Sequence, residues 1–297
     1  PTEENVLKLL KRNPIGRTED VLRFVELLSN MEDACYSIAL NGEWGSGKTF
    51  FVKQVKLILD AQNPQSNIPE KTRNEIKRIV QNRLSVPDSY TSVYYDAWAN
   101  DNHEDPLLSL IYEVIHSGQS SYTPERERNL GTAISNIADL LTGRNVSDVL
   151  NDLRGKDKLE NIQKQASLKE LVREFINNLI EEHGNRLIIF VDELDRCKPD
   201  YAIRFLERIK HYFDDDRVTF VFSVSLSQLQ WTVKSYYGTE FNATRYLDKF
   251  FDIQLTLPRV NYNVFLKNWL CVWDDSLVAL VGVEVIKYFG FSIRETE

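Results

Sequence analysis

Continuous apolar runs alternate along the chain with segments in which apolar residues recur at helical spacing. Runs of strand length occupy residues 34–40, 91–95, 186–191, 218–224 and 251–257. The segments between them carry apolar residues every three or four positions, which predicts helices in these connections. Strands that are largely apolar and alternate with helices are typical of a parallel sheet buried on both faces. The pattern therefore predicts a doubly wound α/β fold with a five-stranded parallel sheet flanked by helices.

Two segments depart from this alternation. Residues 117–166 are dominated by Ser, Thr, Asn and charged residues, which predicts a polar helical insertion. After Pro258 only helical spacing remains, which predicts a small helical lid. We therefore expect an α/β core over residues 1–258, interrupted by the insertion. Residues 259–297 would form the start of the lid, which would continue beyond residue 297.

The composition predicts a globular protein of the cytoplasm without a membrane-spanning segment. Of the 297 residues, 42% are hydrophobic and 27% are charged, which is enough apolar content for a large core. The longest apolar runs are strand-sized and shorter than the roughly 20 residues that a membrane helix needs. The three cysteines form no disulfide or zinc pattern, and the first residues do not resemble a signal peptide. With a net charge of -8, the chain could bind nucleic acid only through a local patch.

A glycine-rich loop follows the first predicted strand. Residues 42–49 read GEWGSGKT and fit the phosphate-binding pattern G-x-x-x-x-G-K-[ST] between a strand and a helix. Glycines let successive backbone N–H groups converge on a phosphate, and the helix N-terminus adds a positive dipole end. We expect Lys48 to reach the β- and γ-phosphates and Thr49 to bind Mg²⁺. The expected nucleotide contacts are Gly42, Glu43, Trp44, Gly45, Ser46, Gly47, Lys48, Thr49 and Phe50.

Two other interpretations of this loop fit less well. A glycine turn that carries a lysine by chance would not need a strand before it and a helix after it. A Rossmann dinucleotide loop needs a third small residue where the chain has Phe50. The loop therefore indicates a nucleoside triphosphate as the ligand.

An acidic pair ends the apolar run at residues 187–191 and is the expected partner of such a loop. We expect Asp192 to hold Mg²⁺ through water and Glu193 to polarise the attacking water, since a strand end positions a base rigidly. A solvated acidic turn is the alternative for the pair taken alone. Asp195 and Arg196 follow directly and could form a local ion pair or contact a neighbouring subunit; the structural use is favoured.

The identity of the base is inferred from an absence in the sequence. The chain has no Asn-Lys-x-Asp motif, which would read guanine, and ATP is therefore favoured over GTP. Pro14 and Ile15, followed by Gly16 and Arg17, are a candidate wall for the adenine. A plain Pro-Gly turn explains the same residues equally well, and both interpretations stay open.

The segment DELDRCKP at residues 192–199 resembles the Walker B segment of the KAP family of P-loop NTPases. Segments 95–98 (YDAW), 220–224 (FVFSV) and 246–251 (YLDKFF) agree with it. The resemblance runs from about Pro14 to the end of the chain, and the polar insertion matches only in position. It implies an additional-strand ATPase, with one strand between those that carry the two motifs. Some relatives have membrane helices in the insertion, which this sequence lacks.

The resemblance also implies a sensor arginine in the lid. Residues 291–295 (FSIRE) look like the lid sequence that supplies it, and a capping box of Ser292 and Glu295 would turn Arg294 towards the phosphates. Helix capping alone is the alternative. The chain departs from the family pattern at Ser225, where an acidic residue is common, and at Asp96, where asparagine is usual.

Three hypotheses about function remain at this stage. The first is an Mg-dependent ATPase that serves as the motor or switch module of a larger bacterial protein, of the kind linked to anti-phage defence. It would act in a homo-oligomer or with a partner protein, and Arg245 or Lys249 of another subunit could supply an arginine-finger-type cation. For both residues a solvated charge on a helix is the favoured alternative. The second is a nucleotide-gated oligomeric scaffold with little turnover. The third is a phosphotransferase, against which Glu193 argues by favouring water as the acceptor.

Overall fold

The protein is described by a computed structural model. It describes residues 2–14, 16–31, 35–80, 90–118, 131–132, 135–139, 141, 157–183, 186–258, 281, 285 and 288. Ile15, most of the predicted insertion, and the lid segment with Arg294 lie outside the described residues. The three described positions of the predicted lid, Val281, Val285 and Tyr288, are helical.

Helices and strands alternate through the described core. The helices are α1 (Glu3–Arg12), α2 (Thr18–Ser29), α3 (Lys48–Gln62), α4 (Glu70–Val80), α5 (Pro106–Gly118), α6 (Asp157–His183), α7 (Pro199–Tyr212), α8 (Leu226–Tyr237) and α9 (Ala243–Leu247). The strands are β1 (Tyr36–Asn41), β2 (Tyr90–Asp96), β3 (Arg186–Asp192), β4 (Val218–Val224) and β5 (Ile253–Thr256). No helix in these ranges combines the length and apolarity needed to cross a membrane.

The strands form one sheet in the order β2-β3-β4-β1-β5, and every neighbouring pair is parallel. This arrangement confirms the predicted five-stranded parallel sheet. It also confirms the additional strand, because β4 lies between β1, which leads into the glycine loop, and β3, which ends at Asp192. The register pairs Asn41 with Val224 and Asp192 with Ser223. The ends of β1, β3 and β4 therefore meet at one edge of the sheet.

Two apolar cores cover the two faces of the sheet. Alternate residues of β3 point to opposite faces, with Leu187, Ile189 and Val191 in one core and Ile188 and Phe190 in the other. Helices α5 to α9 close the first core and α1 to α4 close the second. The central strands are buried on both faces, which explains their continuous apolar sequence.

Two helical segments differ from the sequence-based prediction: one was not predicted, and the other begins before its predicted start at Leu168. Helix α1 was not predicted; the Thr2 side chain accepts a hydrogen bond from the Asn5 N–H at 3.4 Å, and Val6 and Leu10 are buried on one face. Helix α6 begins at Asp157 and so includes residues 157–166 of the predicted polar helical insertion. Lys, Glu and Gln dominate its first turns; they are good helix formers, but they also give the segment the polar composition of the insertion.

Candidate nucleotide-binding site

The glycine loop has a backbone that only glycine adopts readily. It occupies residues 42–47 between β1 and α3, with φ of 78° at Gly45 and 87° at Gly47. At Gly42 an added Cβ would lie 2.8 Å from Ser46 Oγ and 3.2 Å from the Lys48 side chain. Side chains at these positions would therefore distort the turn or fill its interior.

Lys48 points back into the loop that precedes it. Its Nζ donates hydrogen bonds to the carbonyl oxygens of Gly42, at 2.6 Å, and Glu43, at 3.1 Å. Burial lowers the pKa of Lys48, and the charges of Asp195 and Asp192 oppose that shift. The hydroxyl of Ser46 is also buried and, within the described part of the chain, it has no hydrogen-bond partner. A buried ammonium and an unpaired hydroxyl in an amide-rich turn fit a phosphate group.

Strand β4 holds the loop from one side. The N–H of Gly42 donates to the Val224 carbonyl at 3.1 Å, and the side chain of Asn41 accepts from the N–H of Leu226 at 3.0 Å. These bonds join the start of the loop to the end of β4 and the start of α8.

Arg17 holds the loop from the other side. The side chain is 3% exposed, and its guanidinium donates to the Ser46 carbonyl at 2.6 Å and to the Pro258 carbonyl. Arg17 follows the two residues of the predicted adenine wall, of which Pro14 is partly buried and Ile15 lies outside the described residues. Its contact with a nucleobase stays a prediction.

Asp192 ends β3 as an almost fully buried carboxylate, 1% exposed. The Tyr94 hydroxyl donates to its Oδ2 at 2.9 Å, and the N–H of Glu193 donates to its Oδ1 at 3.0 Å. Burial and the negative charge of Asp192 raise the pKa of Tyr94 above its ordinary value, so Tyr94 remains a donor. These hydrogen bonds fix the orientation of the carboxylate.

Glu193 adopts the left-handed backbone region, with φ of 60°, which costs a non-glycine residue on the order of 1 kcal/mol. Its half-buried carboxylate forms an ion pair with Arg196, with 3.0 Å between Oε1 and Nη1. Burial raises the pKa of Glu193, and the Arg196 charge partly opposes that rise. A strained backbone and a perturbed carboxylate together mark this position as a candidate for chemistry.

The two motifs are in direct contact. The indole Nε1 of Trp44, within the glycine loop, donates to Asp195 Oδ2 at 2.7 Å. Asp195 lies in the short 3₁₀ turn Leu194–Arg196 that follows the acidic pair, and it is 6% exposed. The loop and the end of β3 therefore adjoin, as a single nucleotide-metal site requires.

Three exposed tryptophans border this contact, and sequence analysis did not single them out as a group. Trp44, Trp98 and Trp231 are 52%, 52% and 63% exposed and line a cavity of about 370 Å³. The guanidinium carbon of Arg196 lies 5.7 Å from the ring centroid of Trp44 and 5.5 Å from that of Trp98. The sequence offered one signal, the tryptophan inside the glycine loop, but not the convergence of three distant segments.

Four other positions that the sequence analysis named do not take part in the contacts described above. Asp96 accepts a hydrogen bond from the N–H of Ala99 at 2.9 Å and so shapes the turn after β2. Ser225 is 3% exposed and its hydroxyl lies 3.1 Å from that of Ser227. The two candidate finger cations, Arg245 and Lys249, are exposed on the surface near β5.

The sheet order and the two motifs define the class of the protein. A parallel sheet with an additional strand between β1 and β3, a glycine loop after β1 and an acidic pair after β3 characterise a P-loop NTPase. The family model of the KAP family P-loop domain matches residues 19–278. The chain belongs to the KAP family of P-loop NTPases, which are nucleotide-binding proteins.

Comparison with other proteins adds a distant structural likeness. The chain is similar to the structure titled "Structure of the Aeropyrum Pernix ORC2 protein (ADPNP-ADP complexes)", with 14% sequence identity and a TM-score of 0.40. The match covers 91% of this chain and 55% of that chain, so this chain spans about half the length of that protein. No curated protein sequence matches the chain.

Proposed function

We propose that the chain is an ATPase domain that binds ATP with Mg²⁺ and hydrolyses it to ADP and phosphate. The observation that supports the proposal is the hydrogen bond from Trp44 in the glycine loop to Asp195 in the turn after β3, because it joins the segment before Lys48 to the segment after Asp192 and Glu193. Membership of the KAP family supports nucleotide binding. The choice of ATP rests on the lack of a guanine-reading motif in the sequence.

The glycine loop is the proposed phosphate cradle. Backbone N–H groups of the loop and the start of α3, apart from that of Gly42, would donate to the phosphates, together with the buried Ser46 hydroxyl. Lys48 would exchange its two carbonyl acceptors for β- and γ-phosphate oxygens. Trp44 in the loop and Phe50 in the first turn of α3 would contact the nucleotide, and Pro14 with Ile15 would form the adenine wall.

Thr49 and Asp192 are the proposed Mg²⁺ ligands. A hydroxyl and a carboxylate are the hard oxygen donors that Mg²⁺ prefers, and Asp192 would bind through water. The ion would neutralise charge on the phosphate oxygens during the reaction. Tyr94 would keep Asp192 oriented through the hydrogen bond to its Oδ2.

Glu193 is the proposed general base. It would accept a proton from the attacking water while the water oxygen bonds to the γ-phosphorus and the bond to the ADP oxygen breaks. Lys48 would stabilise charge on the transferred group, and Arg294 of the lid would add a second cation. Arg294 lies outside the described residues, so its role rests on sequence resemblance.

In the cell we propose a cytoplasmic module of a larger bacterial protein of anti-phage defence type, acting as a homo-oligomer or with a partner protein. A nucleotide-gated scaffold with little turnover is the second candidate. Both candidates bind ATP through the same glycine loop, and they differ in whether the γ-phosphate is released. Measured turnover separates the two.

The test compares phosphate release and ATP binding in the wild type, Lys48→Ala and Glu193→Gln. We expect Lys48→Ala to lose binding, and Glu193→Gln to keep binding while phosphate release falls about 100-fold or more. Lys56→Ala on the same helix and Glu170→Gln on α6 are matched controls that should keep wild-type activity. A wild type that binds ATP but turns over no faster than Glu193→Gln would identify the scaffold instead.

A further inference from the structure

Arg196 joins three parts of the site that are far apart in the sequence. Its guanidinium pairs with Glu193 and lies within cation–π distance of Trp44, on the glycine loop, and Trp98, in the turn after β2. The proposed hydrolytic mechanism gives Arg196 no role. Because these contacts bring Arg196 to the proposed base, we expect this arginine to do more than add charge to the surface.

The two tryptophans are themselves fixed to the end of β3. Trp44 donates through Nε1 to Asp195 at 2.7 Å. Trp98 follows Ala97, whose N–H donates to the Asp192 carbonyl at 3.0 Å. The position of the Arg196 guanidinium therefore depends on the glycine loop and on β2 as well as on its own turn.

The backbone of the turn contributes to the same arrangement. The N–H of Arg196 donates to the Glu193 carbonyl at 3.0 Å, and the thiol of Cys197 is 3.7 Å from that oxygen. These contacts hold Glu193 in its left-handed conformation, and the side chains of Glu193 and Arg196 meet on one side of the turn. The Glu193 side chain still has its own rotatable bonds, which only a side-chain partner can restrict.

A pair between partly exposed side chains normally contributes little, because both lose rotamer freedom when they meet. Arg196 differs from this average case since two indole rings already restrict its planar guanidinium. Fixing the carboxylate matters for hydrolysis, because a base misplaced by about 1 Å can slow a reaction about 100-fold.

We propose that Arg196 is a positioning residue for Glu193. Trp44 and Trp98 place its guanidinium, and the guanidinium directs the Glu193 carboxylate towards the attacking water. The inference rests on the proposed hydrolysis of ATP. It assigns Arg196 no contact with the nucleotide.

The experiment measures steady-state kcat and KM for Mg-ATP in Arg196→Ala, Arg196→Lys and Trp98→Ala, with Arg204→Ala as a control. Arg204 is an exposed arginine of α7 with a local ion pair to Asp200, so its removal makes the same charge change away from Glu193. We expect Arg196→Ala to lower kcat about 10-fold to 100-fold with KM within about twofold. Arg196→Lys should recover part of kcat, and Trp98→Ala should lose less than Arg196→Ala.

A double-mutant cycle with Glu193→Gln separates positioning from other roles. If Arg196 acts through Glu193, Arg196→Ala causes no further loss in the Glu193→Gln background. An equal loss in both backgrounds together with a higher KM would mean direct phosphate contact and would overturn the inference. A kcat that is unchanged or raised in Arg196→Ala would overturn it as well.

The outcomes also separate this inference from the proposed function. If the wild type releases no phosphate, both fail. If the wild type hydrolyses ATP through Lys48 and Glu193 but the cycle is additive, only the role of Arg196 fails. Circular dichroism melting and binding of a fluorescent ATP analogue check that each variant is folded.

Discussion

The residues of the site differ in how much freedom the fold leaves them. Lys48 and Asp192 are 8% and 1% exposed, and hydrogen bonds fix the polar atoms of both. Glu193 is half-buried, and its carboxylate is held by an ion pair to one side chain. The fold therefore fixes the positions of the proposed binding groups, whereas the position of the proposed base depends on Arg196. We therefore expect substitution of a neighbouring side chain to displace Glu193 more readily than Lys48 or Asp192.

The cysteines illustrate what burial does to a single reactive residue. The Cys35 thiol donates to the Phe213 carbonyl at 3.3 Å, and burial raises its pKa to about 11. Burial also raises the pKa of Cys197. Because the thiolate is the reactive form, both thiols should be nearly inert at pH 8.

We therefore predict slow alkylation of these two cysteines in the folded protein. With iodoacetamide at pH 8, Cys35 should react about 100-fold more slowly in the native protein than in urea, since the native thiolate fraction is far smaller. Peptide mass spectrometry over a time course measures the rate at each cysteine. Equal rates in native and denatured protein would contradict the burial described here.

At the scale of elements, the turn before β4 depends on one carboxylate. Asp215 accepts hydrogen bonds from the N–H and the Nε of Arg217 at 3.0 and 2.9 Å, and it is 8% exposed. These bonds lower its pKa below the ordinary value. They hold the start of β4, and β4 in turn holds the start of the glycine loop through Val224.

This turn gives a prediction about stability and pH. Because the folded pKa of Asp215 is depressed, its stabilising contribution is present above its unfolded pKa of about 4 and is lost as pH falls through the folded value. Asp215→Asn should lower the free energy of unfolding by about 1 kcal/mol at pH 7. The difference from the wild type should shrink below pH 4.

Urea unfolding of both proteins from pH 7 to pH 3 provides the measurement, and Asp216→Asn in the same turn is the control. A difference that stays constant over this range would mean that the charge of Asp215 is not the stabilising feature.

Local patterns predicted the elements of the core but not the contacts between their ends. The run at residues 218–224 was located to the residue because a strand buried on both faces is apolar throughout. The edge strand β5 is shorter than the predicted run at residues 251–257. Phe251 and Leu257 are apolar and buried although they lie outside the strand, so the apolar pattern extends beyond it. The hydrogen bond from Trp44 to Asp195 joins residues 151 positions apart, and no local pattern indicates such a pair.

At the scale of the whole molecule, β4 and Arg17 organise the site. The additional strand separates the two motif-bearing strands and is bonded to the start of the glycine loop. Arg17 links the loop at Ser46 to Pro258, the last described residue of the core. The predicted lid would begin directly after Pro258, so this link would connect the loop to the base of that lid.

The central claim is that one Mg-ATP contacts both the glycine loop and the acidic pair. The most direct measurement is a crystal structure of Glu193→Gln with Mg-ATP, since this variant should bind the nucleotide without hydrolysing it. We expect the β- and γ-phosphates to lie on Lys48 and the metal to be held between Thr49 and Asp192. A nucleotide bound away from the loop, or a metal with no link to Asp192, would contradict it.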